Sequence, residues 1–165
     1  MTLFSKLTIV IPTVGEETLI NVVRKINSGH KIPKKIIISI YKKKLAKLPK
    51  DIYKFSNVKI LATPKMGQVH QRCLAFSKVS TEFVMQLDAD CFIDSKSIEK
   101  LLLFARKKKN ISVAPIFLNI MNNEALHNYK DRIFFLDFCK NLILGFPLFQ
   151  SKMGKISKKY KIPVI

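Results

Sequence analysis

Two carboxylates one residue apart, Asp88 and Asp90, follow the short apolar run Phe83–Leu87 and form the sharpest chemical feature of the chain. On an extended segment, residues two apart project to the same side, so both carboxylates can face one point in space. Such a pair makes a hard, oxygen-rich site suited to Mg²⁺ or Mn²⁺, which is commonly completed by the phosphate oxygens of a ligand. Acidic pairs at strand ends also act as helix caps or solvated turns. The residues around the pair therefore have to decide between these uses.

Just upstream, Gly67-Gln68-Val69-His70-Gln71-Arg72 opens a helix. A helix start presents free N–H groups to an anion, and Arg72 falls within the first turns. Three readings of Arg72 stand: a contact to a diphosphate, a pair that stabilises the carboxylates, or a surface residue. His70 is a further phosphate candidate, whereas His30 and His127 read as exposed. No Ser/His/Asp ordering with a nucleophile elbow occurs, nor does GxxxxGK[ST], which removes hydrolase and P-loop chemistry. Cys73, Cys91 and Cys139 form no CxxC or Cys/His cluster. Neither a disulfide scaffold nor a zinc site is supported.

The elements that must position these residues alternate along the chain. Leu7–Pro12 is a continuous apolar run, as in a strand buried on both faces. Thr13 and Glu16 have the spacing of a capping box and predict a helix start, with a stripe of Leu19, Val22, Val23 and Ile26 that ends at Asn27-Ser28-Gly29. Ile36–Ile40 reads as a second strand, Lys42 to Lys50 as a basic loop or short helix, and Val58–Leu61 as a third strand. The helix from Gln68 to about Lys78 is expected to carry Val69, Cys73 and Phe76 on one face. After the fourth strand, Phe83–Leu87, Asp94 or Ser95 caps a helix that buries Ile98, Leu101, Leu102 and Ala105. Ile111–Ile120 predicts a further strand, at an edge or bulged because of Pro115. This alternation specifies an α/β domain with a mainly parallel sheet. Ligands bind such sheets beyond the carboxyl ends of the strands. Thr13, Glu16, Glu17, Ser39, Tyr41, Asp88 and Asp90 are the polar residues placed there.

The chain has 165 residues, 48% of them hydrophobic, with 30 Lys+Arg against 11 Asp+Glu and a formal net charge of +19. That length suits one domain burying roughly 70% of the surface of the unfolded chain, and the apolar content excludes disorder and collagen-like repeats. Almost all the basic residues are Lys; only Arg24, Arg72, Arg106 and Arg132 are Arg. Base readout favours Arg, so no specific nucleic acid is expected. The charge describes either a solvated Lys surface or attraction to an anionic partner such as a membrane surface, a nucleotide diphosphate or nucleic acid. The amino terminus lacks the pattern of a signal peptide, which makes a reducing cytoplasm the expected compartment. Ile133–Phe149 is the most apolar stretch, but it is short for a bilayer span and contains Asp137, Lys140 and Asn141. It reads as a core helix or as an interfacial helix flanked by Lys152, Lys155, Lys158 and Lys159.

The run TIVIPT with Glu16 nearby, then Gly67-Gln68 with Arg72, then EFVMQLDAD resembles the amino-terminal half of family 2 glycosyltransferases. The resemblance covers roughly residues 6–120 and is most specific over Gly67–Asp90. It implies a Rossmann-like GT-A sandwich and the transfer of a sugar from a nucleotide diphosphate sugar to an acceptor hydroxyl, with a glycan or lipid-linked glycan as acceptor. In that scheme Thr13 and Glu16 help hold base and ribose, Asp88 lies near ribose or metal, and Asp90 is the direct ligand of Mn²⁺ or Mg²⁺. Gly67 and Arg72 face the donor. Ser39 stands where such proteins carry an Asp-Asp-Gly-Ser type segment against the base, and Cys91 stands at the third acidic position of the metal loop.

Inverting transfer needs a general base, and the resemblance places it in a later Glu-Asp type motif. None of Asp94, Glu99, Glu124, Asp131 and Asp137 stands in such a motif, so the catalytic residue is unassigned. The expected organisation is a nucleotide-sugar-binding domain over residues 1–120 with a helical, acceptor-side extension over 121–165, incomplete at the carboxyl end and inactive alone. Peripheral contact with the inner face of a membrane fits this reading. The competing class is a non-catalytic basic module that binds anionic membrane or nucleic acid.

Overall fold

The computed structural model describes residues 2–107 and positions 112, 113 and 115. The residues to 107 belong to one compact unit, Met1–Lys109. Four parallel strands, β1 (Leu7–Thr13), β2 (Lys35–Tyr41), β3 (Val58–Thr63) and β4 (Phe83–Gln86), lie in the order β3-β2-β1-β4. Three helices follow strands: α1 (Leu19–Asn27) after β1, α2 (Gln68–Phe76) after β3 and α3 (Ser95–Lys107) after β4. The chain is an α/β, Rossmann-like fold with a parallel sheet, as the alternation requires.

Strand order explains where each helix goes. The path from β1 to β2 moves one way across the sheet, and the path from β3 to β4 returns across it. Right-handed crossovers therefore put α1 and α2 on opposite faces. The order reverses at β1, so a switch point opens between the carboxyl ends of β1 and β4, where ligands enter such sheets.

β1 is buried over its whole length, as its unbroken apolar run predicts. On one face Val10 and Ile37 pack with Ala75 of α2, joined by Leu61 and Val79. Alternation turns Ile9, Ile11, Ile36, Ile38 and Ile40 to the other face, and all five are fully buried. The inward stripe of α1 (Leu19, Val22, Val23, Ile26) is buried as well, as are Ile98, Leu101 and Leu102 of α3, which lies against α1. Each such side chain contributes roughly 1.5–3 kcal/mol.

Three local features depart from the pattern in the sequence. The helix after β1 starts at Leu19, not at Thr13, with Thr18 as its cap residue. No capping box forms, because the Thr13 hydroxyl donates to the Glu16 carboxylate and accepts from the Gly15 amide. A capping box would need the Thr13 oxygen on a helical N–H. Secondly, α2 turns Gln71 and Ala75 inward and leaves Val69, Cys73 and Phe76 outward. The small Ala75 lets the helix lie close on Val10 and Ile37, and that close approach outweighs the apolar stripe. Thirdly, beyond the expected short helical segment, which forms as 3₁₀ turns at Lys42–Lys47, a second 3₁₀ segment follows Pro49 at Lys50–Lys54. The expected strand Ile111–Ile120, apart from three isolated positions, and the apolar stretch Ile133–Phe149 lie outside the described residues, as does the 121–165 extension. Among the described residues no helix is long and apolar enough to cross a membrane.

Candidate functional site

At the carboxyl end of β1 the chain turns through Gly15, whose φ of +95° suits glycine and whose missing Cβ would sit 2.6 Å from Lys47 Cβ. The turn wraps the Glu16 carboxylate, which accepts from the Thr13 hydroxyl and, at 3.1 Å, from the Val14 amide. Burial pushes the Glu16 carboxyl up, but the Thr13 hydroxyl and the surrounding backbone amides outweigh it and hold the group below its ordinary value. Thr13 and Glu16 thus fix each other and the first wall of the site.

Consecutive residues of α2 clamp both sides of the switch point. Fully buried Gln71 donates from Nε2 to the carbonyl of Thr13 (2.8 Å) and to that of Ser39 (3.1 Å), joining the ends of β1 and β2 through one amide. Its neighbour Arg72 donates to Asp88 Oδ1 at 2.6 Å, in a partly buried pair. Charge-assisted contacts of this length are among the stronger hydrogen bonds. Gly67, with φ of +128° and open space where a Cβ would stand, turns the chain into α2.

β4 ends at Gln86, so Asp88 and Asp90 do not share an extended segment. They are the first and third residues of a tight turn in which the Cys91 amide donates to the Asp88 carbonyl at 3.1 Å. The Thr18 hydroxyl donates to the Ala89 carbonyl at 3.0 Å, tying this acidic turn to the start of α1. One carboxylate is therefore engaged by Arg72 while Asp90 is exposed, with the Cys91 thiol 3.7 Å from its Oδ1. Burial first, and then the charges of Asp90 and Asp88, push the Cys91 thiol up to about 11, so it stays protonated at neutral pH. Among the described residues no three His, Cys, Asp or Glu side chains converge as a metal-holding group. The donor set suits an ion held by one carboxylate and completed by ligand phosphates, not a cage built by the protein.

The structure thus brings Thr13, Glu16, Arg72, Asp88 and Asp90 to one edge. Ser39 is different: it is fully buried, and its hydroxyl has no partner. His70 Nε2, Gln71 Oε1 and Arg72 Nε are likewise buried without partners. Gln71 and Thr18 were not legible as site residues. The only trace of Gln71 is its i, i+4 spacing with Ala75, and Thr18 acts on a carbonyl 71 residues away.

The family described as Glycosyl transferase family 2 matches this chain over residues 8–164. The chain belongs to that family. Among solved structures, this family 2 chain is similar to S. aureus TarS 1-349 at 15% identity and a TM-score of 0.52, covering 72% of this chain and 43% of that one. It spans less than half of the TarS chain, and the likeness shows a shared fold. It is also similar to CMP:2-keto-3-deoxy-manno-octonic acid synthetase complexed with CTP (15% identity, TM-score 0.48, 69% of this chain and 52% of that). A third similar structure is 4-diphosphocytidyl-2C-methyl-D-erythritol synthase (13%, 0.49, 74% and 67%). No curated protein matches the chain.

Proposed function

We propose that this family 2 chain holds a nucleotide diphosphate sugar at the β1/β4 switch point for transfer of the sugar to an acceptor hydroxyl. The observation that carries this reading is the acidic turn, with Asp88 engaged by Arg72 and Asp90 left open, beside the Thr13–Glu16 wall. Thr13 and Glu16 form a rigid surface for base and ribose. Arg72 neutralises Asp88, which keeps one negative charge, that of Asp90, facing the incoming diphosphate. Asp90 would hold Mn²⁺ or Mg²⁺ together with diphosphate oxygens, and Asp88 would lie behind it. Such an ion, when bound, offsets the charge on a departing nucleoside diphosphate. The acceptor in this reading is a glycan or a lipid-linked glycan, and the general base is not among the residues assigned.

Nucleotide binding is the direct test. With Mn²⁺ and UDP or GDP at ten times Kd, the full chain should gain roughly 1.4 kcal/mol, seen as a rise in Tm of about 3–5 °C. Asp90→Ala should abolish that rise and leave the ligand-free Tm unchanged, because Asp90 is exposed. The reading fails if millimolar nucleotide with metal leaves the melting curve of the unaltered chain where it was.

A further inference from the structure

At the far end of the sheet, on the α2 face, lies a cleft of about 180 Å³ lined by Lys35, Ile37, Lys59, Ile60, Leu61 and Lys78. Lys35 opens β2, Lys59 stands second in β3, and Lys78 follows the end of α2. The cleft is therefore at the amino ends of the strands, roughly 20 Å along β2 from the carboxyl-end site. Lysines from three elements line the cleft beside apolar side chains, and among the described residues no carboxylate lines it. Among the described residues none of the three lysines has an ion-pair partner.

The surroundings extend this chemistry. From Ile52 to Thr81 the sequence contains no Asp or Glu; Lys54 and Arg72 in it pair with Asp51 and Asp88 outside it, while Lys59, Lys65 and Lys78 have no ion-pair partner among the described residues. The outward side of α2 carries Val69 at 74% exposure and Phe76 at 38%, with Met66 at 61% just before the helix. Since α2 runs back against the strands, Phe76 and Lys78 share the cleft's end of the sheet, and Met66 and Val69 share the end that holds the acidic turn. Some cations elsewhere are matched, Arg24 with Asp51 (3.0 Å) and Lys31 with Glu99 (2.6 Å), while exposed lysines such as Lys50, Lys96 and Lys100 stand apart from the apolar cleft. Like charges gathered without a counter-charge repel one another, and an anionic partner relieves that repulsion.

We infer that the α2 face is a docking surface for an anionic membrane, with a lipid phosphate held by Lys35, Lys59 and Lys78 and apolar chain against the partly exposed Leu61 beside them. Exposed apolar side chains beside unpaired lysines fit a phospholipid surface, where the side chains enter the headgroup boundary and the lysines meet phosphate. With α2 lying along the membrane, the edge holding Asp90 opens beside the bilayer. That placement suits the lipid-linked acceptor of the proposed reaction, but the docking itself does not depend on that reaction.

The test is co-sedimentation of the full chain with phosphatidylglycerol-containing vesicles and with pure phosphatidylcholine vesicles. Binding should require phosphatidylglycerol and weaken as salt rises. Replacing Lys35, Lys59 and Lys78 together with Gln should lower partitioning by about hundredfold. The charge-matched triple Lys50→Gln, Lys96→Gln and Lys100→Gln, on exposed positions elsewhere, should lower it far less. Equal losses in the two triples would overturn the proposal, as would binding to phosphatidylcholine alone, no vesicle binding, or retention on an oligonucleotide without binding to vesicles. Asp90→Ala should bind vesicles normally, so failure of the nucleotide reading and failure of the docking surface are told apart.

Discussion

The two faces of the sheet are built to different standards. Beneath α1 and α3 the sheet presents Ile9, Ile11, Ile36, Ile38 and Ile40, all fully buried, and ion pairs such as Lys31–Glu99 close the surface above. Beneath α2 the core is smaller, centred on Val10, Ile37 and Ala75. It admits polar Gln71 and Ser39, and two of their polar atoms lack partners. Long aliphatic side chains interdigitate and gain stability from burial, whereas buried polar groups cost stability unless satisfied. One face stores the stability of the domain. The other accepts a cost to place Gln71 and Arg72 at the strand ends.

That contrast can be broken, starting with the aliphatic face. Ile38→Ala should destabilise the domain by about 2–5 kcal/mol, measured by denaturant unfolding, while Phe76→Ala on the outward side of α2 should stay within about 0.5 kcal/mol. Similar losses at the two positions would erase the distinction. Gln71→Met comes next. It keeps the length of the side chain but leaves the Thr13 and Ser39 carbonyls without their donor, at a cost of about 1–3 kcal/mol. It should also weaken nucleotide binding, because Thr13 loses its brace, and unchanged affinity would make Gln71 purely structural.

The smallest effect concerns acid. The Ser97 amide donates to Asp94 Oδ1 at 2.6 Å, which caps α3. Burial pushes the Asp94 carboxyl up, but the Ser97 hydrogen bonds and the charges of Lys25 and Lys96 prevail and hold it below its ordinary 3.8. Because the folded value is depressed, the cap's contribution is complete above about that pH and is lost as pH falls through the lower folded value. Asp94→Ala should therefore cost about 1 kcal/mol at neutral pH and nothing at strongly acidic pH. A loss independent of pH would assign the effect to packing.

What was legible in the sequence follows the range of the interactions. β1 and β2 declare themselves because strands buried on both faces need uninterrupted apolar runs, and Leu7–Pro12 and Ile36–Ile40 supply them. Asp94 as a cap is local and was readable, as was the pairing of Arg72 with the carboxylates among its three alternatives. The orientation of α2 was not readable. Val69, Cys73 and Phe76 make the more apolar stripe, but the sheet selects the face on which a small Ala75 permits close packing and Gln71 reaches two carbonyls. The Thr13–Glu16 spacing suggested a helix start, and only the positive φ of Gly15 shows that the turn continues. The acidic pair was found, but its turn was not, because that turn depends on the distant Thr18 hydroxyl.

That hydroxyl has a consequence for the order in which the molecule assembles. The acidic turn is held by Thr18 at the start of α1 and by Arg72 on α2, contacts 71 and 16 residues distant in sequence. Each hold needs its own helix in place, α1 for Thr18 and α2 for Arg72, so a turn fastened by both is expected to close after the folding barrier has been crossed. Thr18→Val should then speed unfolding while leaving the refolding rate almost unchanged. A chevron in which the refolding arm moves instead would place the turn in the folding nucleus.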